Sequence, residues 1–443
     1  MQSAARLATA ASEDSLPVPV RWPLLIFAVA FTIRMALILL NRSIGPLGHT
    51  EAFNVASSIV GHGIFGNPYE TAETGATAHL APLFPFVLSL LMRWLGTGAA
   101  LGVVVQTMTV AAASAIYALF PSLAAVLFRN YRIGIWSGFA GAALPFHLWL
   151  ESAGTHEVVY TGLAIAIMFL FTTRWLENLP RVSDCARYGA GWGIAALVSP
   201  PVLPVAGVIV ILWFGWWGLK KAFVRAAVAA LCCGVVVLPW IIRNYLVLGS
   251  ASVIRDNFGL ELSVSNNDDA RPLMTDNYRS GRFRHPFGDR EEARQMKTMG
   301  ETAYYKMRLD SAKLWILRNP YRFLSLTSIR VREFWFTRTN SRLKSVFYGV
   351  LVLLGVVGYG IYYRRRRREA LLVGVLWTVF PIPYYVVQID PRYRLPIDWS
   401  IWLLAAFAVN SVAGYIRNRK PSMGDNRQYQ SRPIRGAAIA PPR

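Results

Sequence analysis

Residues 370–388 read ALLVGVLWTVFPIPYYVVQ, residues 397–416 read IDWSIWLLAAFAVNSVAGYI, and the turn between them carries Asp390-Pro391-Arg392-Tyr393-Arg394-Leu395-Pro396. Each flank is long and apolar enough to cross a hydrocarbon core, which takes about 17–25 residues of helix. Two arginines in such a turn sit at a membrane face, where charge is costly unless it meets water or a partner. Arginine pairs bidentately with phosphate oxygens, and a turn fenced by two prolines holds its forks in a fixed direction. A lipid-linked phosphate is therefore one ligand class for this turn. The other reading is plain interfacial anchoring by Arg and Tyr, and the turn alone does not choose between them.

The same pattern fills the chain. Of its 443 residues 54% are hydrophobic, and mean hydropathy is +0.36, a composition that excludes a soluble domain of this size. Apolar stretches of spanning length fall at 22–40, 101–127, 133–150, 158–176, 202–218, 223–241, 345–363, 370–388 and 397–416, with shorter, ambiguous ones at 82–96 and 188–200. The expectation is an all-α polytopic membrane protein. Arg21 directly precedes the first apolar run and no small-residue cleavage site follows, so that run reads as an uncleaved span. Cys185, Cys232 and Cys233 have no metal or redox spacing and read as small buried apolar residues.

The formal charge of +22 is distributed as short basic flanks: Lys220, Lys221 and Arg225, the run Arg364 to Arg368, and a basic tail. Such flanks mark the cytoplasmic side and favour anionic headgroups over nucleic acid. They divide the chain into a cytoplasmic tail 1–20, a transmembrane domain 21–416 with outer loops 42–81, 243–342 and 389–396, and a basic, disordered cytoplasmic tail 417–443. Parity then requires one of six apolar segments between 82 and 218 to fail to cross. Ser199-Pro200-Pro201, which breaks a helix, is the expected place, leaving about ten crossings.

The outer loops hold the chemistry-bearing residues. The first begins His49-Thr50-Glu51, continues as an amphipathic stretch Ala52 to Val60, and ends Thr74-Gly75-Ala76-Thr77-Ala78-His79-Leu80-Ala81-Pro82. Glu51 is a candidate general base toward a hydroxyl or amine, or simply an N-terminal charge facing the helix dipole. The second loop opens with Pro239-Trp240-Ile241-Ile242-Arg243-Asn244, passes through polar, turn-rich stretches around Asn257-Phe258-Gly259 and Ser265 to Asp269 with weak strand signals, and ends in an amphipathic region Ala312 to Trp335 broken at Asn319-Pro320. That region reads as helix lying in the membrane interface. Glu151, His156 and Glu157 form a further outer polar cluster. Carboxylates and imidazoles are metal ligands, so a divalent cation stays open as a cofactor, but no spacing among His49, Glu51, His79 and this cluster supports a site, and solvated-loop or hydrogen-bonding roles come first.

Taken together, the acidic residue in the first outer loop, the Thr-Gly-x-Thr-Ala-x-x-x-Pro-x-x-Pro run from Thr74 to Pro85, Pro-Trp-x-x-Arg-Asn from Pro239, and Pro-Arg-Tyr-Arg-x-Pro from Pro391 resemble the GT-C membrane glycosyltransferases. The nearest branch is the bacterial glycosyltransferase family 39-like proteins, related to protein O-mannosyltransferases and the lipid A aminoarabinose transferase, and the likeness covers roughly residues 20 to 416. It implies a GT-C-like bundle in a bacterial inner membrane, with a periplasmic site that moves a sugar from a polyprenyl-phosphate donor to a lipid, glycan or protein acceptor. By the same resemblance Glu51 is the catalytic carboxylate, where better-known members carry Asp. From their place in the outer loops His49, His79 and Glu157 are candidate supports, with Glu157 the reserve carboxylate. Arg392 and Arg394 hold the donor phosphate, with Tyr393 beside them and Arg243 a further candidate.

The chemistry is self-consistent. A phosphate that leaves already ionised needs fixed positive charge and no general acid, so one carboxylate plus arginines suffices. A transporter or flippase is the rival class and would place ionisable residues mid-span or show repeated halves. Arg34 is the one charge well inside a span, and no internal repeat is found. A noncatalytic scaffold is the third reading.

Overall fold

The computed structural model describes residues 18–145, 147–176, 179–249, 254–339 and 341–419. Most of both expected tails lies outside the described residues. Among those residues there is no β-strand, only isolated bridges joining Gly66 to Ala76 and Leu273 to Ile389. The chain is an all-α polytopic membrane protein.

Six helices are long and apolar enough to cross a membrane: Arg21–Leu40, Ala99–Phe128, Leu219–Leu248, Arg342–Arg365, Arg367–Val386 and Leu395–Ile416. The shorter helices Val158–Arg174, Val182–Val198 and Val202–Trp217 and the broken pair Tyr131–Ala143 and Leu148–Ser152 pack among them. Close approach is set by glycines. A Cβ on Gly189 would lie 2.0 Å from the Ala229 carbonyl oxygen, and one on Gly358 2.0 Å from that of Leu404, so these helix pairs meet backbone to backbone.

The parity problem resolves elsewhere than at Ser199-Pro200-Pro201. That turn does separate two helices, but Pro200 and Pro201 line the same cavity as Glu51 and Glu157, so both helices reach the loop end. The apolar segment that stays beside the loops is Leu83–Leu95, of 13 residues. It packs on the first-loop helix Glu51–His62 through Phe53, Ala56, Leu88 and Met92, and the next helix begins with Gly102 against the Gly45 carbonyl of the same loop.

The expected span 133–150 ends early, at Ala143, because Pro145 disfavours helix at Leu144. Pro145 also lacks the N–H that would serve the Gly141 carbonyl. Arg34, fully buried, serves it instead: its guanidinium donates to Gly141 O at 3.3 Å and Ala142 O at 3.1 Å. Its Nε pairs with Glu151 at 2.9 Å, whose other oxygen accepts from Tyr117 at 2.7 Å. Glu151 is thus an interior counter-ion and not a member of a solvated turn.

Helix Leu219–Leu248 runs through Pro239 and past Arg243, so the long loop starts at Gly249. Around Asn257-Phe258-Gly259, where the sequence carries weak strand signals, the chain forms the helix Phe258–Ser265. The break at Asn319 between Glu301–Arg318 and Pro320–Trp335 is as expected.

All three loops interlock at one end. Met274 N–H donates to Ile389 O and Ile389 N–H to Pro272 O, stitching the long loop to the final turn. Asp256 N–H donates to Ala78 O, stitching it to the first loop. The basic flanks gather at the opposite end, where Arg225 donates to Pro180 O and Tyr362 to Leu127 O.

Candidate active site at the loop end of the bundle

Thr50 caps the first-loop helix, its hydroxyl accepting from Phe53 N–H at 3.3 Å. Glu51 therefore stands in the first turn, facing inward. The returning segment of the loop is clamped from three sides. Arg243 donates to the carbonyls of Phe65 and Thr77 at 2.8 and 2.7 Å, Glu301 accepts from the Thr77 hydroxyl and Ala78 N–H, and Arg255 donates to His79 O at 2.9 Å. Burial pushes the Glu301 carboxyl up to about 7, against the two hydrogen bonds that pull it down.

What this clamp fixes is His79. Its Nε2 lies 3.1 Å from Glu51 Oε1, and its Nδ1 lies 2.8 Å from the Tyr305 hydroxyl and 3.0 Å from that of Tyr69. Burial raises both phenols well above their ordinary range, so they stay protonated, and their hydroxyls also lie 3.2 Å apart. An ionised Glu51 can only accept, which puts a ring proton on Nε2. Burial works to raise the Glu51 carboxyl, but the charge and hydrogen bond of His79, aided by His285 and Arg255, hold it well below the usual carboxylate range.

A second imidazole is presented the same way. His285 accepts from Phe287 N–H on Nδ1 at 3.1 Å and turns Nε2 toward Glu261, 3.8 Å away. Burial raises the Glu261 carboxyl, yet His285 brings it net below its ordinary value. Donor atoms of Glu51, His79 and His285 all lie within 4.8 Å of one another. These are residue types that hold a divalent cation, but a neutral imidazole that accepts on Nδ1, as His285 does from Phe287 N–H, carries its proton on Nε2 and would have to shift it to ligate there. The sequence spacing gave no sign of this cluster.

Arg392 enters from the final turn. Asp390 accepts from Arg392 N–H at 2.9 Å and starts the single 3₁₀ turn Pro391–Tyr393. The guanidinium donates to His156 Nε2 at 2.7 Å. Burial and the arginine's charge hold His156 down at about 3, a neutral acceptor. Glu51, His156, Glu157, Arg255, Arg392 and Tyr393 share a cavity of about 400 Å³. Next to it is a recess of about 220 Å³, bounded by Glu51, Glu261, His285 and Arg392. An apolar groove of about 200 Å³ runs between Phe84, Leu88, Met108, Tyr160 and Val198, and Val198 adjoins Ser199 of the cavity wall.

Of the residues picked out from sequence, Glu51, Glu157, Arg392 and Tyr393 meet in this cavity, and His79 stands behind Glu51. Three do not reach it. Arg394 is 2% exposed, paired with Asp398 at 2.7 Å and donating to Trp335 O at 2.5 Å; it is the turn's internal brace. Arg243 is spent on the loop clamp. His49 is on the surface beside Glu70, 2.7 Å away. Sequence reasoning missed Arg255, Glu261 and His285, all in the long loop. Arg255 stands two residues before the Asn257-Phe258-Gly259 stretch, the one local signal that could have flagged it.

No protein-family model matches the chain, and no curated protein matches it. Solved structures do. The oligosaccharyltransferase of Archaeoglobus fulgidus, tethered to an acceptor peptide containing the NVT sequon, matches with TM-score 0.57 and 15% identity over 90% of this chain and 50% of that one. Its apo form gives 0.56 and 16% over 90% and 51%. Its complex with an inhibitory peptide and a dolichol-phosphate gives 0.53 and 14% over the same shares. This chain thus spans about half the length of the oligosaccharyltransferase. At such identities the likeness is one of architecture, and the chain has the GT-C fold of polytopic membrane glycosyltransferases.

Proposed function

We propose that the protein transfers a sugar from a polyprenyl-phosphate-linked donor to an acceptor at the outer face of a bacterial inner membrane, the periplasmic side. The observation that carries this reading is that Glu51 and Arg392, 341 positions apart in the sequence, face one cavity at the loop end, with an apolar groove beside it. The groove offers a lipid chain a path from the bilayer. Arg392, steadied by His156, would hold the donor phosphate, and Arg255 adds positive charge on the same wall. The oligosaccharyltransferase neighbour's complex with a dolichol-phosphate is in keeping with a lipid-linked donor.

In the reaction the bond between the anomeric carbon and the phosphate oxygen breaks as the acceptor oxygen bonds to that carbon, inverting it. Arg392 meets the charge developing on the phosphate. Glu51 takes a hydrogen bond from the acceptor. A carboxylate held this acidic is a weak base, suited to a late proton transfer, when the attacking hydroxyl has become acidic through bonding to an oxocarbenium-like carbon.

The test is transfer by the purified protein from radiolabelled polyprenyl-phosphate hexoses and pentoses to membrane extracts. Label moved by the wild type and lost in Glu51→Gln and Arg392→Ala is the expected result. Intact transfer in both variants overturns the assignment, and movement of the intact donor across vesicles without bond cleavage favours the transporter class.

The convergence of His79 and His285 on Glu51 favours a second reading, in which these three residues hold a divalent cation. Such an ion would supply Lewis-acid charge beside the cavity, and Glu51 would act as its ligand. Metal analysis of the purified protein and of His285→Ala separates the readings: stoichiometric metal lost in the variant supports the ion, and its absence with full activity supports the free carboxylate.

A further inference from the structure

The recess beside Glu51 is walled on its outer side by stacked rings. Tyr278 and Phe283 lie with centroids 4.6 Å apart at 31°, and Phe283 and His285 at 5.3 Å and 9°. Exposure falls inward along this series, from Tyr278 at 46% to His285 at 4%, and the series ends at Glu51 and Glu261. The rings are not loosely hung. Tyr278 sits on the short helix Met274–Arg279, whose Met274 N–H is bonded to Ile389 O and whose Asn277 amide donates to Gln388 at 2.8 Å. The platform is therefore pinned to the turn that carries Arg392.

A flat aromatic face at the mouth, with carboxylates and an amide at the back, matches one chemical class well. The C–H face of a sugar ring lies on an aromatic face, while its hydroxyls donate to Glu51 and Glu261. At about 220 Å³ the recess is below the ~300–1,000 Å³ usual for small-molecule pockets, so it takes one ring.

We propose that this recess is the acceptor subsite and that the acceptor is a glycan, one ring lying on Tyr278, which Phe283 backs, with a hydroxyl at Glu51. The inference rests on the glycosyl-transfer reading for its role, though binding is separable from turnover. The product is then a sugar–sugar glycosidic bond, formed as the bond between the anomeric carbon and the phosphate oxygen breaks, the acceptor proton leaving through Glu51 to water and the electron pair going to polyprenyl phosphate.

The experiment is saturation-transfer NMR on the full detergent-solubilised chain with a panel of methyl pyranosides, alongside binding of polyprenyl phosphate. At least one glycoside should show saturation of one ring face. Tyr278→Leu and Phe283→Leu should each weaken it about tenfold, the order of one aromatic contact, while Tyr278→Phe retains it and polyprenyl phosphate binding is unchanged in all three. No saturation from any glycoside, or saturation indifferent to both leucine variants, overturns the proposal. So does transfer to a peptide that proceeds unchanged in Tyr278→Leu. Failure of the donor reading looks different: Arg392→Ala would leave polyprenyl phosphate binding intact, whatever the glycosides do.

Discussion

His79 Nε2 lies 3.1 Å from Glu51 Oε1, while Tyr305 and Tyr69 hold its other nitrogen. The imidazole therefore has one orientation, and Glu51 is met by a donor that lowers its affinity for a proton. His79 acts through Glu51 and touches no cavity wall itself, which makes it a positioning residue. Its own place is set by backbone contacts to Arg255 and by the Glu301 clamp on the two residues before it.

Replacing Glu51 by Gln keeps shape and removes the charge. General base catalysis contributes about 10² to 10⁴ in rate, so Glu51→Gln should lower transfer by that order with donor binding near normal. His79→Gln removes the main group holding the Glu51 carboxyl down. The acid limb of the pH–rate profile should then move to higher pH, and an unmoved limb would show that His79 does not tune Glu51.

The two arginines of the final turn should part company. Arg392→Ala removes a charge-assisted contact of about 1.5–3 kcal/mol, or one to two orders of magnitude in donor affinity, and Lys restores only part because it lacks the planar fork. Arg394→Ala leaves Asp398 buried with His147 at 3.2 Å as its remaining ionic partner, and breaking a buried pair costs about 3–5 kcal/mol. Donor titration and thermal unfolding on both variants check this. Equal loss of donor affinity without loss of stability in Arg394→Ala would return that residue to the phosphate site.

This pair also shows how far the sequence could be read. Spans, basic flanks and the importance of the Arg392 turn follow from hydropathy and charge, which are local. Whether an arginine faces a cavity or its own helix is not local: Arg392 lies in the 3₁₀ turn and Arg394 caps it, and Asp398, one helical turn onward, together with the distant Trp335 carbonyl draws Arg394 inward. Arg255, Glu261 and His285 were invisible for a similar reason. They reach Glu51 through a loop whose order comes from bridges such as Asp256 to Ala78 and Met274 to Ile389, contacts between segments far apart in the chain. Leu83–Leu95 reads as a weak span by composition, and only its packing on the first-loop helix shows that it stays beside the loops.

Arg34 and Glu151 should behave as a structural pair. Both are buried, and either single change to Leu strands one charge, a loss of about 3–5 kcal/mol. The double Leu variant should recover much of this, since an apolar pair replaces a compensated one. Thermal unfolding in detergent reads it out, and a double variant no better than the singles would mean that the Gly141 and Ala142 carbonyls depend on Arg34 more than Glu151 does.

Glu301 gives the loop assembly a pH dependence of opposite sign to an ordinary ion-paired carboxylate. Burial raises its folded value from 4.5 to about 7, so between those values the folded protein holds a proton that the unfolded chain releases. Stability then falls as pH rises from about 4.5 to 7 and levels off above. Glu301→Gln, whose amide oxygen can still accept from Thr77 and Ala78, should abolish that slope. Hydrogen exchange of the segment 75–80 across pH 5 to 8 measures it directly: protection that declines with pH in the wild type and stays flat in the variant is expected, and a slope surviving in Glu301→Gln would place the titrating group elsewhere.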